Sequence, residues 1–279
     1  MLISTAELRT YLLTADWLVF DCRHDMFNHA RGAQVFAMGH IPGAYFAAVE
    51  TDLSGQKTGT NGRHPLPEVE AWIGFLNRHG VTQDTQIVAY DDVGGQYAAR
   101  FWWLARWVGL TKVAVLDGGY GKWVAEQHPV TTESPVVRRP GTLAARADQR
   151  QVRTAEDILR DLPAGRMLLL DARAPERYRG ETEPIDRVAG RIPGAHNRCF
   201  KLNLNPDQTM RPAAELRNEF EALLAGQSPS QVVHQCGSGV TACVSLLAME
   251  YAGLAGSALY VGSWSEWIAQ PERPIGRGT

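Results

Sequence analysis

The run Trp17-Leu18-Val19-Phe20-Asp21-Cys22-Arg23, followed by Gly39-His40-Ile41-Pro42-Gly43-Ala44, is written twice in this chain. It returns as Met167-Leu168-Leu169-Leu170-Asp171-Ala172-Arg173 and Gly190-Arg191-Ile192-Pro193-Gly194-Ala195. Three further matches keep the same order: Thr5-Ala6-Glu7 with Thr154-Ala155-Glu156, Gln86–Asp91 with Gln231–Cys236, and Gly118–Trp123 with Gly262–Trp267. The offsets run from 144 (Gly118 to Gly262) to 151 (Gly39 to Gly190). Five ordered matches at nearly constant spacing predict two copies of one domain. The boundaries read as 1–128 and 151–279, joined by a connector over 129–150 that holds Pro129, Pro135, Pro140 and Gly141.

The 279-residue length suits two domains of ordinary size. With 44% apolar and 21% charged residues, the chain has the makeup of a folded protein. A formal net charge of -2 argues against a nucleic-acid or anionic-membrane binder. The first residues lack the basic and long apolar regions of a signal peptide. Ser4 and Glu7 fit a helix capping box instead. The uncharged stretch from Ala222 to Met249 is interrupted by Gln, Ser, Pro and His, which rules it out as a membrane span. A cytoplasmic location, with thiols kept reduced, is the expectation. The four cysteines (Cys22, Cys199, Cys236, Cys243) form neither a disulfide framework nor a zinc-type pair.

Apolar runs at Ile87–Tyr90, Val113–Leu116, Leu168–Leu170, Val232–Val233 and Ala258–Val261 read as buried strands. Glu68–Arg78, Gln96–Val108, Ala214–Leu224 and Thr241–Tyr251 read as helices. Their alternation predicts the α/β class: in each copy a mainly parallel sheet flanked by helices. Ligands in such sheets sit at the carboxyl ends of the strands.

The two copies differ at one such strand end. The first continues with Asp91-Asp92-Val93-Gly94-Gly95-Gln96, the second with Cys236-Gly237-Ser238-Gly239-Val240-Thr241 and an apolar helix. A cysteine between a strand end and a helix start faces unpaired backbone N–H groups. The two glycines let the loop curl around the sulfur, and the helix N-terminus favours the thiolate. The competing reading of Cys236 is a small apolar residue at a strand end. Cysteine phosphatases also place the nucleophile here, with His234 two residues before it. They need an arginine six residues later, and Ala242 stands there, so phosphoryl chemistry is disfavoured.

On these motifs the chain resembles the two-domain rhodanese-like sulfurtransferases over nearly its whole length. The resemblance implies two tandem rhodanese-like domains, each with a five-stranded parallel core sheet. The first is catalytically silent, in keeping with Asp91 in the place of Cys236. It also implies a persulfide formed on Cys236 and cradled by Gly237, Gly239, Val240 and Thr241. The Cys-Gly-Ser-Gly-Val-Thr loop resembles that of members using 3-mercaptopyruvate, whereas members using thiosulfate tend to carry basic residues after the cysteine. By the same resemblance Arg177 holds the substrate anion and a second arginine falls near Arg187, which alternatively reads as a solvated loop residue, like Arg179. An Asp–His–Ser relay across the domain interface would fall on Asp52, His64 and Ser238, with a loop-stabilising role as the alternative for His64. Arg191 and Val261 depart from the family's usual His and Asp.

The implied partners are a small-molecule sulfur donor and an acceptor such as thioredoxin, another thiol or cyanide. No metal or organic cofactor is implied. Thiosulfate as donor, or a carrier passing persulfide between proteins, are the alternatives. Of the remaining residues, Cys22 and Cys243 read as core, Cys199 as a possible exposed resolving thiol, and Trp102, Trp103 and Trp107 as core or interface. Trp264 and Trp267 are expected to line the entrance wall of the site.

Overall fold

The apolar runs become two separate parallel sheets. The computed structural model describes residues 1–12, 14–144 and 147–278, so position 13, positions 145 and 146 of the connector, and position 279 lie outside the described residues. The chain divides into two units. The first comprises Met1–Gly55, Leu66–Asp148 and Asn205–Met210; the second comprises Gln56–Pro65, Gln149–Leu204 and Arg211–Thr279. Ten residues of the N-terminal half, 56–65, thus belong by contact to the second unit.

In the first unit the strands are Leu2–Ile3 (β1), Trp17–Asp21 (β2), Tyr45–Phe46 (β3), Gln86–Tyr90 (β4) and Val113–Leu116 (β5). They lie in the order β1-β5-β4-β2-β3, and every pairing is parallel. The helices are Thr5–Tyr11 (α1), Arg31–Met38 (α2), Val69–Arg78 (α3), Gln96–Trp107 (α4) and Gly119–Ala125 (α5). The second unit repeats the plan with Val152–Arg153 (β6), Leu168–Asp171 (β7), His196–Asn197 (β8), Val232–Gln235 (β9) and Ala258–Tyr260 (β10), ordered β6-β10-β9-β7-β8 and again all parallel. Its helices are Ala155–Asp161 (α6), Pro175–Arg179 (α7), Ala213–Leu224 (α8), Ala242–Tyr251 (α9) and Ser263–Trp267 (α10). The expected class, two α/β domains with five-stranded parallel sheets, is what forms. Among the described residues no helix is long and apolar enough to cross a membrane.

Local chemistry accounts for the element starts. Ser4 accepts from the Glu7 N–H at the head of α1. Thr154 and Asp157 form a complete capping box on α6. Helix α9 is buried from Ala242 through Met249, as an all-round apolar helix must be. Trp102, Trp103 and Trp107 are buried on α4.

The repeated Asp-x-Arg motif explains itself in space. In the first unit Arg23 grips Asp21 through Nε and Nη2 at 2.6–3.1 Å, donates to the Gly39 carbonyl at 2.6 Å, and lies 3.9 Å from the Tyr120 ring centroid. In the second, Arg173 grips Asp171 at 2.7–3.1 Å, donates to the Gly190 carbonyl at 2.9 Å, and lies 4.9 Å from the Trp264 ring. Each pair ties a central strand end to the Gly-x-Ile-Pro-Gly-Ala segment and to the last helix of its unit. Both members are at most 4% exposed, and such a pair survives burial only because its hydrogen bonds are met.

Two residues that depart from the family pattern have structural work. Arg191 pairs its backbone with Gly276 and stacks 4.8 Å from the Tyr178 ring, fastening the chain end. Val261 is buried under the loop that follows β9.

His234, in the middle of β9, is fully buried, and neither ring nitrogen has a hydrogen-bond partner among the described residues. Burial, with the Arg198 charge adding to it, lowers its pKa to about 3. The unfolded chain therefore binds a proton below about pH 6.5 that the folded chain refuses. Stability from this group is intact above that pH and declines as pH falls toward 3, by up to about tenfold in the folding equilibrium per pH unit. Denaturant titrations from pH 7 to 4 should show this slope in the wild type and a shallower one in His234→Leu. Equal slopes would refute the assignment.

Candidate functional site

Strand β9 ends at Gln235, which pairs with Asp171 of the Asp-x-Arg motif. Cys236 follows at once, 2% exposed, and the loop 237–241 leads into α9. The loop is pinned from below. The Cys236 N–H donates to Ser263 Oγ at 3.1 Å, the Trp264 N–H to the Cys236 carbonyl at 3.0 Å, and the Ser265 N–H to the Gly237 carbonyl at 2.9 Å. Ser263 holds a positive φ of 53° and donates to the Tyr260 carbonyl at 2.9 Å. The Gly-Ser-Trp-Ser motif is thus the backbone platform of the cysteine loop.

That platform corrects the expectation for the tryptophans. Trp264 and Trp267 are at most 1% exposed and pack with Ile158, Leu169 and Val233 in the core. Their indole N–H groups donate to the Val188 and Pro274 carbonyls. They support the loop from the inside and form no entrance wall.

Gly239 has φ +74°, and a Cβ there would stand 2.3 Å from the Val261 carbonyl oxygen. Only glycine permits this turn over α10. Gly237 answers a different need. A Cβ on it would stand 2.8 Å from Arg63 Nη2, 3.5 Å from Arg177 Nη2 and 3.7 Å from Asp186 Oδ2. Its bare Cα lets two guanidiniums come up to the backbone beside the sulfur.

The first unit displays what such a loop does when an anion fills it. Asp91, at the place of Cys236, accepts the N–H groups of Val93, Gly95, Tyr97 and Ala98 at 2.8–3.0 Å. Burial raises the Asp91 pKa, and the four N–H groups act against that rise. The repeated strand–loop–helix geometry is an anion nest.

Around Cys236 the structure gathers His64, Ser238, Arg63, Arg177, Glu183 and Asp186, all in the second unit. His64 arrives on the segment 56–65, and its Nδ1 lies 2.8 Å from Ser238 Oγ, with both residues buried. Arg177, on α7, grips Glu183 at 2.7–3.2 Å and reaches Asp186 at 3.3 Å. Arg63 also pairs with Asp186. Burial raises the Asp186 pKa, an effect that Arg63 and Arg177 oppose and Glu183 reinforces. Arg173 feels both carboxylates and the sulfur: burial acts against its charge, but Asp171, Glu183 and Cys236 outweigh it, and its pKa is raised.

Other residues expected at the site have partners of their own. Arg187 donates to the Ile268 carbonyl at 2.7 Å, at the end of α10. Asp52 belongs to the first unit, where it accepts the Ala48 N–H at 2.8 Å. Arg179 pairs with Glu181 on the surface. Cys199 is 8% exposed, and burial pushes its thiol pKa up, which corrects its reading as an exposed resolving thiol. Cys243 lies wholly buried with Sγ 3.3 Å from the Gly239 carbonyl, and Cys22 is buried with its thiol pKa pushed well up by burial and by Asp21. The residue that sequence reading passed over is Arg63. Its signal was adjacency to His64 in Gly62-Arg63-His64. Among the described residues, one group has metal-ligand spacing: Glu50 lies 3.5 Å from His24 Nε2 and 3.7 Å from His29 Nε2, in the first unit.

The profile of the Rhodanese-like domain matches residues 4–126 and 154–270. The chain is 43% identical to a protein of Pseudomonas aeruginosa named "Probable 3-mercaptopyruvate sulfurtransferase", covering 99% of this chain and 98% of that one. It is 35% identical to the thiosulfate sulfurtransferase of Bos taurus, covering 86% of this chain and 81% of the bovine one. Among solved structures it is similar to the crystal structure of SseA from Escherichia coli, described as a 3-mercaptopyruvate sulfotransferase, at 28% identity and a TM-score of 0.79 over 94% of this chain and 98% of that one. With matches over both halves and a strand-end cysteine loop in the second, the chain belongs to the rhodanese-like family and carries two rhodanese-like domains.

Proposed function

We propose that the protein is a sulfurtransferase that takes sulfur from 3-mercaptopyruvate onto Cys236 and passes it to a thiol, such as that of thioredoxin, or to cyanide. One observation carries the choice of donor. The loop 237–241 brings no cationic side chain, but it brings Ser238, hydrogen-bonded to the buried His64 at 2.8 Å. A ketone-bearing donor needs a polarising hydroxyl; thiosulfate does not. The 43% identity to a protein of that name supports the same reading.

The Cys236 thiolate attacks the donor's thiol sulfur, the C–S bond breaks, and pyruvate leaves as its enolate. The Ser238 hydroxyl, backed by His64, hydrogen-bonds the developing enolate oxygen and supplies the proton path. The enolate carbon then takes up a proton to give pyruvate. Cys236 now carries a persulfide, and the loop N–H groups stabilise its charge as those around Asp91 stabilise a carboxylate. An acceptor thiolate attacks the outer sulfur, forms its own persulfide and releases the Cys236 thiolate. Electrons balance throughout without an external oxidant. Arg177 attracts the donor carboxylate.

Mass spectrometry of the donor-treated protein should show a gain of one sulfur atom, lost entirely in Cys236→Ser. Labelling that persists in that variant would place the nucleophile elsewhere. Ser238→Ala should lower kcat with 3-mercaptopyruvate by about 10²-fold, the usual scale of general acid–base assistance, while thiosulfate turnover changes little. An equal loss with both donors would remove Ser238 from the donor-specific step. In direct comparison kcat/KM should favour 3-mercaptopyruvate, and a preference for thiosulfate would support the alternative suggested by the bovine relative.

A further inference from the structure

We propose that Arg63 is a donor-binding residue that works beside Arg177, and that Asp186 is the charge filter governing both. The proposal rests on the sulfur-transfer reading above and identifies what selects the donor.

Arg63 is held as a functional side chain is held. Gly62 turns the chain at φ +85°, the Arg63 N–H donates to Ser265 Oγ at 3.0 Å, and the next residue, His64, meets Ser238. Its backbone is thereby fastened to the platform that also fixes Cys236. The guanidinium lies against Gly237, one residue from the nucleophile, at the only kind of residue that admits it so close. Its Nη1 pairs with Asp186, while its Nε is buried and has no hydrogen-bond partner among the described residues. A buried donor without an acceptor is costly to leave unmet. A carboxylate arriving beside Gly237 would meet it.

The charges then set the selectivity. Arg63 and Arg177 are balanced by Glu183 and Asp186, and Arg173 by Asp171. Glu183 is engaged twice over, by Arg177 and by the backbone N–H groups of Ile185 and Asp186. Asp186 is held by side chains, shared between the two arginines that face Gly237. A donor with one carboxylate can share these arginines with Asp186. A dianion brings a second negative charge against two fixed carboxylates and is disfavoured. Cationic side chains on the loop are thus replaced by an arginine from a distant segment, tempered by an acid.

The test reads charge selection with and without sulfur chemistry. Cys236 is alkylated with iodoacetate, which carries a carboxylate, and with neutral iodoacetamide, and the ratio of the two rates is followed by mass spectrometry of the Cys236 peptide. Arg63→Ala should lower the ratio about tenfold, the scale of one lost charge-assisted hydrogen bond, and Arg63→Lys should restore part of it. Asp186→Asn should raise the ratio and raise kcat/KM for thiosulfate relative to 3-mercaptopyruvate. With 3-mercaptopyruvate, Arg63→Ala should raise KM more than it lowers kcat. Should Arg63→Ala fold poorly by thermal unfolding, Arg63→Lys and Asp186→Asn carry the same comparison. A ratio unchanged in all three variants, or both alkylation rates rising together because Arg63 merely covers the loop, would overturn the proposal. If the wild type gains no sulfur from either donor, the transfer reading fails, while the alkylation ratio still decides the role of Arg63.

Discussion

Each unit depends on one buried ion pair placed at the end of a central strand. Asp21 with Arg23, and Asp171 with Arg173, do more than offset two charges. The guanidinium has donors left over after the carboxylate is satisfied, and it uses them on the Gly39 and Gly190 carbonyls. Its flat face then packs on Tyr120 in one unit and Trp264 in the other. Three segments that are far apart in sequence are fixed around one charge. Because that charge is buried, loss of any partner would leave it unmet.

In the second unit this scaffold also sets the electrostatics of the reactive loop. Asp171 pairs with Gln235, and Arg173 is close enough to feel the Cys236 sulfur. The platform motif completes the arrangement by taking the backbone groups of residues 236 and 237. The same loop in the first unit holds the Asp91 carboxylate on four N–H groups. One strand–loop–helix design therefore holds a carboxyl group in one copy and a cysteine in the other.

Much of the fold could be read directly because its signals are local and repeated. Parallel strands buried on both faces appear as short apolar runs, and Gly-x-Ile-Pro-Gly-Ala marks the same turn twice. Cys236 was legible for the same reason, since a strand, a glycine-rich loop and an apolar helix are consecutive. The tryptophans of α10 were not. Position after the last strand says nothing about which way an indole points, and these turn into the core. Cys199 misled because its neighbour Arg198 suggests exposure, whereas Arg198 is itself buried against Phe220 and paired with Glu219.

The sequence by itself determined that there are two α/β copies, that the second has a cysteine at the strand end where the first has Asp91, and which loop surrounds it. Each of these is written in contiguous residues. That Arg63 stands beside that loop together with Arg177 was decided only by the tertiary structure. Arg187 lies in the charged stretch after α7 and donates to the Ile268 carbonyl. Arg63, more than 170 residues from Cys236 in sequence, reaches Gly237 because segment 56–65 groups with the second unit. A guanidinium's target depends on where its backbone is carried and on which acceptors remain unmet there. Neither is encoded by its neighbours in the chain.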